Sequence, residues 1–153
     1  MQTPATYQAR RTRLAGEVGN GLILLPGNEE SPMNYMDNVY PFRQDSTFLY
    51  FAGVKLPHFA LLLDANTGIA TLFGPELSID DIVWMGAQPS LAELAAGVGI
   101  EKTLPFEMLE PSVKAAIAQG RQIHYLPPYR GEQTLQLSRL LDKPAEKVVE
   151  GVS

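Results

Sequence analysis

Phe59-Ala60-Leu61-Leu62-Leu63-Asp64-Ala65-Asn66-Thr67-Gly68-Ile69-Ala70-Thr71-Leu72-Phe73 is the most legible stretch of the chain. Two apolar runs, residues 59–63 and 69–73, flank a turn in which Asn66 and Gly68 suit positive φ, so the spacing predicts a β-hairpin. Upstream, Leu22-Ile23-Leu24-Leu25 is an unbroken apolar run ended by Pro26-Gly27. Its length favours a strand buried on both faces, as in the middle of a helix-covered sheet.

Outward from these strands the rhythm is helical. Thr3 caps a helix with Pro4 at its first position, where the missing N–H costs nothing. Tyr7, Leu14 and Val18 share one face, and Gly19-Asn20-Gly21 supplies the stop. The aromatic-rich residues 47–51 read as a strand. Ser78 with Asp81 and Ser90 with Glu93 form capping-box patterns, and Gly97 and Gly99 close the second helix. Thr103-Leu104 reads as a brief strand. Pro111 is expected to start a helix carrying Val113 and Ile117 and ending at Gly120. Residues 123–126 form a further strand broken by Pro127-Pro128, and a last helix over 132–141 offers Leu135, Leu137, Leu140 and Leu141 for burial. Alternating helices and strands with short connections predict an α/β layer fold.

A chain of 153 residues suits one domain. At this length roughly 68–70% of the unfolded surface is buried, enough for a core without staples. No cysteine is present, which excludes disulfides, zinc–thiolate sites and thiol catalysis. The net charge of −5 argues against a phosphate-backbone binder, and the cluster Arg10, Arg11 and Arg13 reads as a solvated helix face. No apolar run approaches the ~20 residues of a membrane span, and the start lacks a signal-peptide layout. The expectation is a soluble, cytoplasmic protein without nucleic-acid or membrane partners.

The catalytic patterns are missing. His58 and His124, the only histidines, lack an H-x-x-x-H or H-x-D partner and read as surface or satisfied sheet residues. There is no G-x-S-x-G elbow and no phosphate-binding loop. Glu29-Glu30 and Asp80-Asp81 are expected in a loop and at a helix start, where solvation and the helix dipole account for them.

One segment stands apart: Tyr40-Pro41-Phe42-Arg43-Gln44-Asp45-Ser46-Thr47-Phe48-Leu49-Tyr50-Phe51-Ala52-Gly53, followed by Pro57. Aromatics burying roughly 150–250 Å² each draw neighbouring polar groups inward. Buried Arg43 would then need a carboxylate or carbonyls, and Asp45 would need donors. Tyr40, Arg43, Gln44, Asp45 and Ser46 are therefore read as a polar network locking a loop onto the sheet; a pocket wall or subunit contact is the other reading.

The same segment resembles the Y-x-F-R-Q-x-S-x-F-x-Y-x-x-G-x-x-x-P signature in the N-terminal domain of aminopeptidase P (Xaa-Pro aminopeptidase), prolidase and creatinase relatives. Weaker matches flank it: the helix with Arg10-Arg11, the strand at Leu22, the hairpin ending in Leu72-Phe73, and Trp84-Met85-Gly86. The family often has Arg-Asn-x-Asp before the signature, and here Met33 stands where that Arg is common, beside Asn34.

The resemblance implies a mixed β-sheet of about five to six strands flanked by helices on both faces, a ribonuclease H-like motif. It implies a domain over 1–141 and the start of a linker over 142–153. Catalysis and its two divalent metals, usually manganese, would lie in a C-terminal catalytic domain, leaving this chain with no cofactor. Expected partners are that domain, further copies of the parent, and the parent's peptide substrate. Trp84 would rim the active-site entrance or touch a neighbouring subunit; packing on the sheet is its other reading. Two alternatives share the architecture: a peptide- or protein-binding module related to non-catalytic histone-chaperone subunits, and a creatinase-like amidinohydrolase.

Overall fold

A computed structural model describes residues 3–28, 44–75, 90–125 and Leu140. Helix α1, Pro4–Val18, begins as expected: the Thr3 side chain accepts from the Thr6 N–H and Pro4 opens the first turn. Gly19, at φ 79, ends it. Strand β1 is Leu22–Pro26 and helix α2 is Ser46–Ala52. The hairpin strands are β2, Ala60–Asp64, and β3, Ala70–Gly74. Helix α3, Leu91–Gly97, opens on a full capping box between Ser90 and Glu93. Strand β4, Lys102–Pro105, passes through a 3₁₀ turn, Phe106–Met108, into helix α4, Leu109–Ala118. Strand β5 is Ile123–His124.

The sheet is mixed, in the order β4-β3-β2-β1-β5. Strands β1, β2 and β3 pair antiparallel, with Leu24 opposite Leu62 and Leu62 opposite Thr71. The outer strands β5 and β4 run parallel to β1 and β3. Alternating side chains then build two cores. Ile23, Leu25, Leu61, Leu63 and Leu72 meet α1, α2 and α3 through Tyr7, Ala15, Phe48, Ala52, Leu91 and Ala95. Leu22, Leu24, Leu62 and Phe73 meet Leu109, Val113 and Ala116 of α4 together with Leu140 on the other face. This is the α/β architecture with helices on both faces that the sequence predicts.

Three expectations are corrected. Residues 47–51 are helical, not a strand. The Asp45 carboxylate accepts from the Phe48 N–H at 2.9 Å, and Gly53, at φ 67, caps the other end. A strand would aim Phe48 and Tyr50 to one side, whereas the helix leaves Phe48 at 0% and Tyr50 at 51% exposure. Helix α4 starts two residues before Pro111 and buries Ala116, while Ile117 faces outward. The arginine cluster is not uniformly solvated: Arg11 is 3% exposed, and only Arg13 fits the solvated reading fully. Residues 29–43, with Glu29-Glu30, the Ser78/Asp81 box with Asp80, Leu126 and the expected 132–141 helix apart from Leu140 lie outside the described residues. Leu140 itself is helical and buried.

Candidate functional site

The signature segment enters the described structure at Gln44, between β1 and α2. Its carboxamide oxygen accepts from the main-chain N–H of Asn28 at 2.8 Å and of Asp45 at 3.0 Å. Its nitrogen donates to the carbonyls of Val54 and Leu56, both at 2.9 Å. One side chain thus holds the exit of β1 against the loop that leads from α2 to β2. Asp45 caps α2, and Ser46 is exposed at the helix start. Tyr40, Arg43 and Trp84 lie outside the described residues.

Arg10 and Arg11 extend this assembly from α1. Arg11 donates to the carbonyls of Phe51 at 2.8 Å, Val98 at 2.7 Å and Gly99 at 3.1 Å. These are carbonyls at the C-terminal ends of α2 and α3, where the helix dipole concentrates negative charge. Burial lowers the Arg11 pKa to about 10, so the guanidinium stays cationic near neutrality and the bonds are charge-assisted. Arg10 donates to the Tyr50 carbonyl at 3.0 Å and lies 4.0 Å over the Tyr50 ring. Sequence reasoning missed the role of Arg11, although Tyr7, Arg11 and Ala15 at steps of four form the buried stripe of α1.

A second polar cluster ties the hairpin turn to the starts of β1 and β5. Arg121 grips Asp64 through two bonds, 3.1 and 3.0 Å, and reaches Asn66 Oδ1 at 2.9 Å. The Arg121 hydrogen bond holds the Asp64 carboxyl below its ordinary pKa, with the Asn66 and Thr67 N–H groups adding to the effect. His124 Nε2 lies 2.8 Å from the Asn20 carbonyl, which makes it the donor. His58 stands before β2 at φ 69, its ring stacked 3.9 Å from that of Phe106. Among the described residues, no group of three or more His, Cys, Asp and Glu side chains converges to hold a metal. Arg11, Gln44 and Arg121 are directed at main-chain carbonyls and amides, one carboxylate and one carboxamide of the chain itself.

The model of the "Aminopeptidase P, N-terminal domain" family matches residues 7–124. The chain belongs to the aminopeptidase P N-terminal domain family. Two fungal relatives carry the name Probable Xaa-Pro aminopeptidase. The one from Ajellomyces dermatitidis is 31% identical over 95% of this chain, and the one from Pyrenophora tritici-repentis is 33% identical over 65% of it. The chain spans 27% and 15% of the lengths of those relatives. Zinc-substituted aminopeptidase P of Escherichia coli, solved in complex with product, superposes with a TM-score of 0.76 at 20% identity. The superposition covers 92% of this chain and 33% of that one, and it shows a shared fold.

As an aminopeptidase P N-terminal domain, the chain has three residues of its signature in structural positions among those described. Gln44 is the clamp of the α2 loop, Asp45 the cap of α2, and Gly53 its left-handed stop.

Proposed function

We propose that this chain is the non-catalytic N-terminal domain of an Xaa-Pro aminopeptidase-like metallopeptidase, a parent that removes N-terminal residues preceding proline. The observation that carries the reading is the family match over 7–124 in a chain spanning only 15–27% of two relatives named as Xaa-Pro aminopeptidases. Residues 1–141 form the domain and 142–153 begin the linker. Its work is to pack against the catalytic domain and support oligomers of the parent in the cytoplasm. Trp84 rims the active-site entrance or touches a neighbouring subunit, and Tyr40 and Arg43 join Gln44, Asp45 and Ser46 in the network that fixes the loop.

The described residues do not offer a donor set for a metal pair. The two divalent ions, manganese in this reading, belong to the catalytic domain, and no chemical step is assigned to the residues described above. The test uses the full-length parent: cleavage of an Xaa-Pro peptide lost on chelation and restored by Mn²⁺ supports the reading. A metal-loaded, folded parent that leaves such peptides intact overturns it.

A further inference from the structure

Asn20-Gly21 is the single Asn-Gly dipeptide of the chain. Glycine has no Cβ to obstruct its own nitrogen, so the Gly21 amide can approach the Asn20 side-chain carbonyl carbon. Attack there closes a five-membered succinimide ring and expels ammonia. In this fold one distant side chain ties up the Gly21 N–H and holds the Asn20 side chain in place. The Gly21 N–H donates to Asn66 Oδ1 at 3.0 Å, and Asn66 Nδ2 donates to Asn20 Oδ1 at 3.1 Å.

The orientation of Asn66 is itself determined. Its Oδ1 also accepts from Arg121 Nη2 at 2.9 Å, and two donors converging on one atom identify that atom as the oxygen. Its main-chain N–H donates to Asp64 Oδ1 at 2.9 Å, and Arg121 binds the same carboxylate. On the opposite side, His124 Nε2 donates to the Asn20 carbonyl, and a Cβ on Gly21 would lie 2.6 Å from the Gln122 carbonyl oxygen. The dipeptide is held by the hairpin turn on one side and the entry of β5 on the other. Asn20 nonetheless remains exposed to the water that would complete the reaction.

We propose that Asn20-Gly21 is a latent deamidation site that Asn66 keeps closed. When the lock opens, base removes the Gly21 amide proton and the nitrogen forms a bond to Asn20 Cγ. The Cγ–Nδ2 bond breaks, and the nitrogen leaves as ammonia after taking up a proton. Water then opens the ring at either carbonyl, giving Asp or isoAsp at position 20. The product gains a negative charge. In the isoAsp form an extra methylene enters the main chain two residues before β1, displacing the carbonyl that His124 holds. The sheet thus carries a chemical clock that runs only when the turn lets go.

The test incubates the 153-residue chain, as wild type and as Asn66→Ala, in mildly alkaline buffer, with urea-unfolded wild type as the ceiling. Asp and isoAsp at position 20 are read by peptide mass spectrometry, and the Leu62 amide protection reports whether the sheet is intact. Folded wild type should convert far more slowly than the unfolded chain. Folded Asn66→Ala should convert at least roughly tenfold faster than folded wild type, the factor expected for losing such hydrogen bonds. Equal rates in the two folded proteins overturn the proposal. Should Asn66→Ala fail to fold, hydrogen exchange at the Gly21 amide of wild type decides. Protection matching the β1 amides supports the lock, and exchange at the unprotected rate overturns it.

Discussion

Arg11 in α1 donates to the carbonyl of Val98 at 2.7 Å, joining residues 87 positions apart. The same guanidinium reaches Phe51, so one planar fork closes the ends of two helices against a third. The fork replaces caps that α2 and α3 lack in basic residues, neither having one in its last turn.

Replacing Arg11 with Met should therefore leave carbonyls without a donor in a buried seam, at a cost of about 2–3 kcal/mol. Arg11→Lys keeps the charge but cannot span the fork, and it should recover only part of that loss. Urea midpoints at an unchanged slope measure both. A Lys variant as stable as wild type would show that charge alone suffices.

Asp64 and Arg121 predict a specific acid response. The folded carboxyl has a lowered pKa, so its contribution is present above the ordinary carboxylate value and disappears as pH falls through the folded one. With both side chains partly exposed, the pair should contribute about 1 kcal/mol near neutrality. The stability difference between wild type and Asp64→Asn should be flat above about pH 4 and shrink below it. A difference that grows on acidification would reverse the sign and refute the assignment.

Gln44 makes a sharper case, because its nitrogen faces two carbonyls. Gln44→Glu places a carboxylate oxygen against those acceptors and should cost about 2 kcal/mol near neutrality. Protonation restores one donor, so the variant should regain stability relative to wild type as pH falls. Urea unfolding at neutral and mildly acidic pH tests this, and a penalty independent of pH would contradict the amide orientation.

Gly53 carries two constraints, φ 67 and the Tyr7 ring, whose Cζ would lie 2.5 Å from a Cβ. Gly53→Ala should lose more than about 1 kcal/mol, the conformational part alone. Asn tolerates left-handed backbone, so Gly53→Asn separates the two causes by thermal denaturation. Equal damage from both points to the clash, and a mild Asn variant points to φ.

The strands and helix ends were legible because each rests on a local signal. Leu22-Leu25, the hairpin strands, Thr3-Pro4 and Ser90-Glu93 all fold as their spacing suggests, and Gly68 takes positive φ in the turn whereas Asn66 does not. The aromatic run after Asp45 misled because strand propensity reflects packing more than backbone preference. There the Asp45 cap and Gly53 stop prevail. Ile117 misled for a related reason, since helix phase, not hydrophobicity, gives the core position to Ala116. Arg11 and Arg121 escaped notice because their partners are 40 to 100 positions away. No short-range pattern encodes such distances. Of the signature network, Gln44 and Asp45 make the bonds described above, whereas Tyr40 and Arg43 lie outside the described residues, as does Trp84.

Packing against a catalytic domain, as proposed, should also have a measurable effect. A chain separated from that domain exposes the contact face and should self-associate as concentration rises. Sedimentation showing only monomer across the accessible range would count against packing of this kind.

Our proposal is that this domain supplies scaffold and leaves the chemistry to the rest of its parent. Its most direct test is turnover of an Xaa-Pro peptide by the purified 153-residue chain with added Mn²⁺. The expected result is release of the N-terminal residue no faster than with Mn²⁺ in buffer. Turnover that rises in proportion to the chain's concentration, and survives repurification, would contradict it.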